Sequence, residues 1–259
     1  MLLNLNKETC IFINSCDKTF DVAEYFLKSF QKYIENNNLK IFMGINDKKH
    51  LKKYNFINYI SSPKSNWKYE TLFQLNIIKK KYNFKNVILI LDDFIFHEKT
   101  DMHNVYSLIN EFEIKKIPYL CLKKMDESLL IHLLNLLKEK KIINKIRYNY
   151  PYYTSLQIAL WNIDYLLSNI EQSKSIWHFE RQQLSKEHYH VRNNLFHYTH
   201  IVEKGEWNYG TKRYVEKFLC KFEPGQRKFR GSFFGEIFFY FRKISFLIFG
   251  FLILRIRKN

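Results

Sequence analysis

The sequence predicts an α/β fold with a mostly parallel sheet flanked by helices, and three observations carry that expectation. Val87-Ile88-Leu89-Ile90-Leu91 is a run of five aliphatic residues, three of them β-branched, the pattern of a strand buried on both faces. Apolar runs of this kind alternate along the chain with segments of helical period, the order that builds a parallel sheet through right-handed crossovers. Two adjacent carboxylates, Asp92 and Asp93, then stand where the Val87 to Leu91 strand leaves the sheet. Open α/β sheets bind ligands outside the carboxyl ends of their strands.

Thr9 to Asn14 reads as the first strand. Asp21 is positioned to cap a helix in which Phe20, Tyr25, Phe26, Phe30 and Tyr33 recur near a helical period, and Asn36-Asn37-Asn38 ends it. Lys40 to Gly44 reads as a second strand. Ser65 or Asn66 opens a helix with Trp67, Leu72, Leu75, Ile78 and Tyr82 mostly inward. After the Val87 strand, residues 101–112 read as helix and Pro118 to Leu122 as strand. A helix is expected from Asp126 to about Lys140, a break at Tyr150-Pro151-Tyr152-Tyr153, and a helix from Ser155 to Asn169. Phe196 to Val202 reads as a late strand.

A chain of 259 residues, 46% hydrophobic, has material for one large domain and an appendage. Its net charge of +17 points to an acidic partner: nucleic acid, an anionic membrane or a phosphorylated substrate. The lysines are scattered through most of the chain, as on an ordinary solvated surface. Cys10, Cys16, Cys121 and Cys220 form no Cys-x-x-Cys pair, so reduced thiols are expected, with Cys10 and Cys121 in the core. Residues 1–14 are too short and polar a stretch for a secretory signal. The seven glycines make neither a Gly-x-Gly-x-x-Gly nor a Gly-x-x-x-x-Gly-Lys loop, which disfavours dinucleotide-binding and P-loop folds.

Paired carboxylates at a strand end suit a hard divalent cation and, through it, a diphosphate; the plain alternative is a solvated turn. Asn14-Ser15-Cys16-Asp17 closes the first strand with short polar groups that suit a nucleotide base and ribose, and Asn46-Asp47 closes the second. Ordinary turns favour the same residue types. If the strands are parallel neighbours, Asp17, Asp47 and Asp93 face one crevice. Gln157 and Trp161, four apart, share a face of the expected helix, either bordering a pocket or packed in a core. His188, His190, His197 and His200 form a loose cluster that lacks a zinc-ligand pattern, so surface histidines are expected.

In this order the motifs resemble a family. Strand-(Ser-Cys-Asp), strand-(Asn-Asp), Trp67 opening a helix, Leu-Asp-Asp-Phe, Pro151-Tyr152-x-x-Ser155-Leu156-Gln157-x-x-Leu160-Trp161 and Trp177-His178-Phe179-Glu180 look like bacterial GT-A-type glycosyltransferases of surface polysaccharide (capsule or lipopolysaccharide) biosynthesis. The resemblance covers roughly residues 9 to 210. It implies a GT-A-like, Rossmann-type sheet and a nucleotide-sugar donor, often with Mn²⁺ or Mg²⁺ on its diphosphate. The donor site would draw on Ser15, Cys16, Asp17, Asn46, Asp47, Trp67, Asp92, Gln157 and Trp177. Adjacent side chains on an extended strand point to opposite faces, so Asp93 would reach the metal while Asp92 braces the loop, or both contribute if the chain turns between them. His200 is a further candidate metal ligand. Glu180 is the candidate general base for an acceptor hydroxyl, partly desolvated by Trp177 and Phe179.

Residues 215–259 differ in composition. Ten Lys or Arg stand against three Glu, among many Phe, and the uncharged run from Ile244 to Leu254 has 11 residues. A spanning helix needs ~20 apolar residues. A basic, aromatic segment of this kind suits a helix lying on an anionic membrane. The expectation is therefore a domain over residues 1–214 and a membrane-associating helical tail over 215–259. The enzyme would be cytoplasmic, attached peripherally to the inner face of the cell membrane, and would act on a glycan or glycolipid acceptor, with no nucleic acid expected as partner. A basic nucleic-acid-binding protein and a non-catalytic scaffold of the same fold are the competing readings.

Overall fold

Residues 86–91 form the strand that the aliphatic run demands, at the middle of a sheet. The computed structural model describes residues 8–47, 54–125, 142–146, 153–182, 184–185, 187–231 and 241. Strands β1 (Thr9–Asn14), β2 (Ile41–Ile45), β3 (Ile57–Ser61), β4 (Asn86–Leu91), β6 (Tyr119–Cys121), β7 (Ile143–Lys145), β8 (Ala159–Asn162) and β9 (His188–Val191) make one eight-stranded sheet in the order β3-β2-β1-β4-β8-β6-β9-β7. The β3-β2-β1-β4 half is parallel. β8 runs antiparallel to both β4 and β6, so β6 runs the same way as β4, and β9 is parallel to β6.

Strand alternation divides the core in two. Ile11, Ile13, Ile88 and Ile90 face a layer holding α1 (Phe20–Tyr33) and α3 (Met102–Ile114), through Phe26, Phe30, Leu108 and Phe112. Cys10, Phe12, Val87 and Leu89 face the other layer, holding α2 (Trp67–Tyr82), α4 (Ile163–Gln172) and α5 (Ile176–Arg181), through Leu75, Ile78, Leu166 and Phe179. Gly44 of β2 admits α2 closely: a Cβ there would lie 2.2 Å from Oε1 of the buried Gln74.

A smaller third cluster joins the C-terminal region to α1. A ribbon of β5 (Phe94–Phe96) and β10 (Tyr198–His200) leads to β11 (Val202–Glu203), β12 (Glu206–Asn208), α6 (Thr211–Phe218) and β13 (Phe229–Arg230). Tyr25, Trp207, Val215 and Phe222 pack together there. Arg227 clamps Asp21 with two nitrogens (2.7 and 2.9 Å) and reaches the carbonyls of Gly205 and Lys18. The expected boundary at residue 215 falls inside α6, and the described residues 215–230 lie against the domain. No helix among the described residues is long and apolar enough to cross a membrane. The apolar part of the tail, and the expected helix over 126–140, lie outside the described residues.

Three sequence expectations are corrected. The helix expected over residues 155–169 is strand β8 followed by α4. A central strand carries apolar residues on both faces and so shows no period, and the true helix start is Asn162, whose side chain accepts from Tyr165 N. Asp21 does not cap α1; Thr19 holds that position, and the Asp21 carboxylate is taken by Arg227. His188 and His190 are core residues of β9 rather than surface histidines: His188 stacks on Tyr153 and bonds its carbonyl, and His190 Nδ1 lies 2.9 Å from Val191 O.

Candidate active site

The strand order creates a topological switch point between β1 and β4, because β2 and β3 extend to one side of β1 and β4 pairs on the other. The carboxyl ends of β1, β2, β3, β4, β6 and β9 lie on one edge of the sheet. The amino end of antiparallel β8 lies on that edge too. Register fixes who meets there: Ala159 of β8 pairs with Leu89 of β4 and with Cys121 of β6. Gln157, two residues before Ala159, is therefore level with Leu91 and with Lys123.

The two carboxylates after β4 have different surroundings. Asp92 is 7% exposed, and its Oδ2 accepts from the Ser15 hydroxyl at 2.6 Å and the Thr19 hydroxyl at 2.5 Å. Burial pushes its carboxyl up to about 7, against the pull of those two hydroxyls, and the Asp93 charge adds to the rise. Asp92 thus ties the β4 end to the loop after β1. Asp93 points elsewhere: its Oδ2 is 3.5 Å from His200 Nδ1, and its Oδ1 is buried with no hydrogen-bond partner among the described residues.

The β5–β10 ribbon brings His200 to that position, since His200 pairs with Phe94, the residue after Asp93, and Ile201 N donates to Asp93 O at 2.9 Å. The His200 ring stands edge-on to Phe94 with centroids 4.4 Å apart. Its Nε2 lies 3.0 Å from Gln157 Nε2. The amide donates there, which leaves the His200 proton on Nδ1, toward Asp93. Both ring nitrogens are engaged in this arrangement, so His200 braces Asp93 and presents no open nitrogen to a metal. Gln157 Oε1 accepts from Tyr198 OH at 2.7 Å and from Lys123 Nζ at 3.1 Å. Burial raises the Tyr198 phenol well above its ordinary value, so the hydroxyl stays a donor.

The neighbouring strand ends are tied by polar side chains. The Asp17 carboxylate accepts from the backbone N–H of Asn46 (2.9 Å) and of Asp47 (2.8 Å), binding the β2 end to the β1 loop. Asn46 Oδ1 accepts from Asp17 N, and Cys16 Sγ lies 3.7 Å from Thr19 Oγ1. Trp67 Nε1 donates to Asn14 Oδ1 at 3.0 Å, and its ring meets Phe179 edge-on. On the short helix α5, Phe179 is buried, Trp177 is half exposed, and Glu180 Oε1 accepts from Leu156 N at 3.2 Å. Glu180 therefore reaches the segment that carries Gln157. Trp161 does not share a face with Gln157: it is fully buried between Tyr119 and Phe179.

Sequence reasoning missed Lys123, Thr19 and Tyr198. Thr19 and Tyr198 have no distinguishing local pattern. Lys123 follows a short strand as Asp93 follows β4, but only the insertion of β8 shows that the two ends share an edge.

No protein-family model matches this chain, and no curated protein matches it. Among solved structures it is similar to A197 from STIV, with TM-score 0.40 and 10% identity over 87% of this chain and 98% of that one. It is also similar to S. aureus TarS, with TM-score 0.47 and 12% identity over 76% of this chain. A structure of S. aureus TarS 1-349 in complex with UDP-GlcNAc gives TM-score 0.47 and 11% identity over 77% of this chain. The match spans 37% and 60% of those two TarS chains.

Proposed function

We propose that this chain is a glycosyltransferase that moves a sugar from a nucleotide-sugar donor to a hydroxyl of a glycan acceptor. One observation carries the reading: at the switch point between β1 and β4, Asp93 presents a buried carboxylate oxygen with no hydrogen-bond partner among the described residues, on the edge that also carries Lys123 and, through its bond to Leu156 N, Glu180. The motif order that resembles GT-A-type enzymes supports it. The loops after β1 and β2, with Ser15, Cys16, Asp17, Asn46 and Asp47, would border the nucleotide. Trp67, Gln157 and Trp177 would border the sugar and the acceptor.

Among the described residues no group of three or more His, Cys, Asp or Glu could hold a metal ion. The residues present fit an ion shared with the substrate, since Mg²⁺ is commonly held by one or two carboxylates together with substrate phosphates. Asp93 Oδ1 would be the protein ligand, with His200 and Asp92 outside the coordination sphere. Such an ion, Mg²⁺ or Mn²⁺, supplies charge neutralisation for the departing diphosphate. Glu180 takes the proton of the acceptor hydroxyl as the sugar–phosphate bond breaks and the new glycosidic bond forms; the electron pair leaves with the diphosphate. Leu156 N–H holds that carboxylate in place.

The acceptor is proposed to be a growing, lipid-linked surface glycan, on the cytoplasmic face of the membrane. The basic, aromatic composition of the tail supports this. The test is release of nucleoside diphosphate from a panel of nucleotide sugars, with Mn²⁺ and with EDTA. Turnover of one donor, lost in Asp93→Ala, supports the reading; normal turnover by Asp93→Ala removes Asp93 from it.

A further inference from the structure

The edge that holds Asp93 is electrically divided. The ends of β1, β2 and β4 carry Asp17, Asp47, Asp92 and Asp93, whereas the end of β6 carries Lys123 and Lys124 and that of β9 carries Arg192. A diphosphate bound at the switch point meets carboxylates on one flank. Its charge must be balanced from the other flank or by an ion. Among the described residues of that flank, Lys123 joins the Asp93 network through its side-chain nitrogen. Its Nζ sits 3.1 Å from Gln157 Oε1 and 5.4 Å from the centre of the Tyr198 ring. Gln157 in turn contacts His200, and His200 contacts Asp93. The contacts of Gln157 and Tyr198 hold the ammonium group in a defined place, which lowers the cost of ordering a flexible lysine around a ligand.

We propose that Lys123 is a diphosphate-binding residue of this site, a fixed positive charge that holds the donor's diphosphate across the crevice from Asp93 whether or not a metal ion is bound. This rests on the nucleotide-sugar reading of the site. Lysine serves here as a compact point charge on a phosphate, the role it plays at many phosphate sites. Gln157 and Tyr198 are then positioning residues that act through Lys123.

The experiment is calorimetric titration of the full chain with UDP, GDP, CDP and ADP and with the matching monophosphates, in EDTA and then in Mn²⁺. Wild type, Lys123→Gln, Lys123→Arg and Lys124→Gln are compared, each checked for folding by circular dichroism. Lys123→Met replaces Lys123→Gln if the latter does not fold. Wild type is expected to bind one diphosphate more tightly than its monophosphate in EDTA. Lys123→Gln should weaken diphosphate binding by about tenfold or more, the scale of a charged hydrogen bond, with the monophosphate affected less. Lys123→Arg should keep most of the preference, and Lys124→Gln all of it. Unchanged diphosphate preference in Lys123→Gln, or wild-type binding that disappears in EDTA, would overturn the role of Lys123 and leave the nucleotide-sugar reading standing. If wild type binds no diphosphate in either medium, both fall.

Discussion

His188 gives a pH dependence of folding that follows from its surroundings. The ring is fully buried in β9, stacked on Tyr153 with centroids 4.4 Å apart, and close to Tyr119. Its Nδ1 lies 3.1 Å from Tyr153 O, a carbonyl that only accepts, so Nδ1 carries the proton. Its Nε2 lies 2.7 Å from Tyr165 OH, which then donates to it. The neutral imidazole is satisfied on both sides, and a second proton would put a charge into an apolar layer and oppose the Tyr165 hydroxyl. Burial accordingly pulls the imidazole down from 6.5 to about 4, while the carbonyl of Tyr153 pulls weakly the other way. The unfolded chain takes up a proton near pH 6.5 and the folded one near pH 4, so stability is lost as pH falls through that window. At ~1.4 kcal/mol per pH unit the loss is roughly 3 kcal/mol. Urea denaturation followed by circular dichroism at half-unit steps from pH 4 to 8 reads it. His188→Phe keeps the stack but removes the imidazole partner of the Tyr165 hydroxyl and of the Tyr153 carbonyl, and should be less stable at pH 7 by about 1 to 3 kcal/mol. The deficit should shrink by roughly 3 kcal/mol on going to pH 4, because the variant has no proton to bind. Carboxylate titration is common to both proteins and cancels in the difference. Parallel curves for the two proteins would refute the reasoning.

Asp92→Asn should separate the two adjacent carboxylates. Because burial raises Asp92 to about 7, the folded wild type retains a proton that the unfolded chain has lost, so its stability falls between about pH 4 and 7. The variant escapes that loss, and its stability relative to wild type should rise across the same window, by up to about 4 kcal/mol in urea titrations, while donor turnover survives better than in Asp93→Asn. Gly44→Ala should cost about 1 to 3 kcal/mol, since the new methyl meets the buried Gln74 amide, and Gln74→Ala in the same chain should recover part of it in a double-mutant cycle. Glu180→Gln should lower kcat with little change in KM, and should abolish the acidic limb of the rate profile, if Glu180 is the base.

How much the sequence discloses depends on range. β1, β4 and the opening of α2 are local patterns, and they are legible: Asn66, one of the two residues expected to open that helix, caps it, and Asp101, read as the first residue of the next helix, is its cap. Asp92 and Asp93 stand in the turn between β4 and β5 rather than on an extended strand, so opposed strand faces are not what separates them; Asp92 is tied to Ser15 and Thr19, and Asp93 meets His200. β8 is not legible, because Ala159-Leu160-Trp161 is apolar on both faces and a strand between two antiparallel neighbours has no period to show. His188 escapes because its burial depends on three tyrosines from distant segments. Lys123 escapes because a lysine among 42 basic residues is unmarked until sheet order places it opposite Asp93.

The measurement that tests the account most directly is nucleoside diphosphate release from a panel of nucleotide sugars, comparing wild type with Asp93→Ala in Mn²⁺ and in EDTA. Wild type should turn over one donor, and the variant should lose at least about tenfold in rate, the scale of one charged contact to the diphosphate. Turnover by Asp93→Ala at the wild-type rate, or no turnover and no thermal shift with any donor, would contradict it.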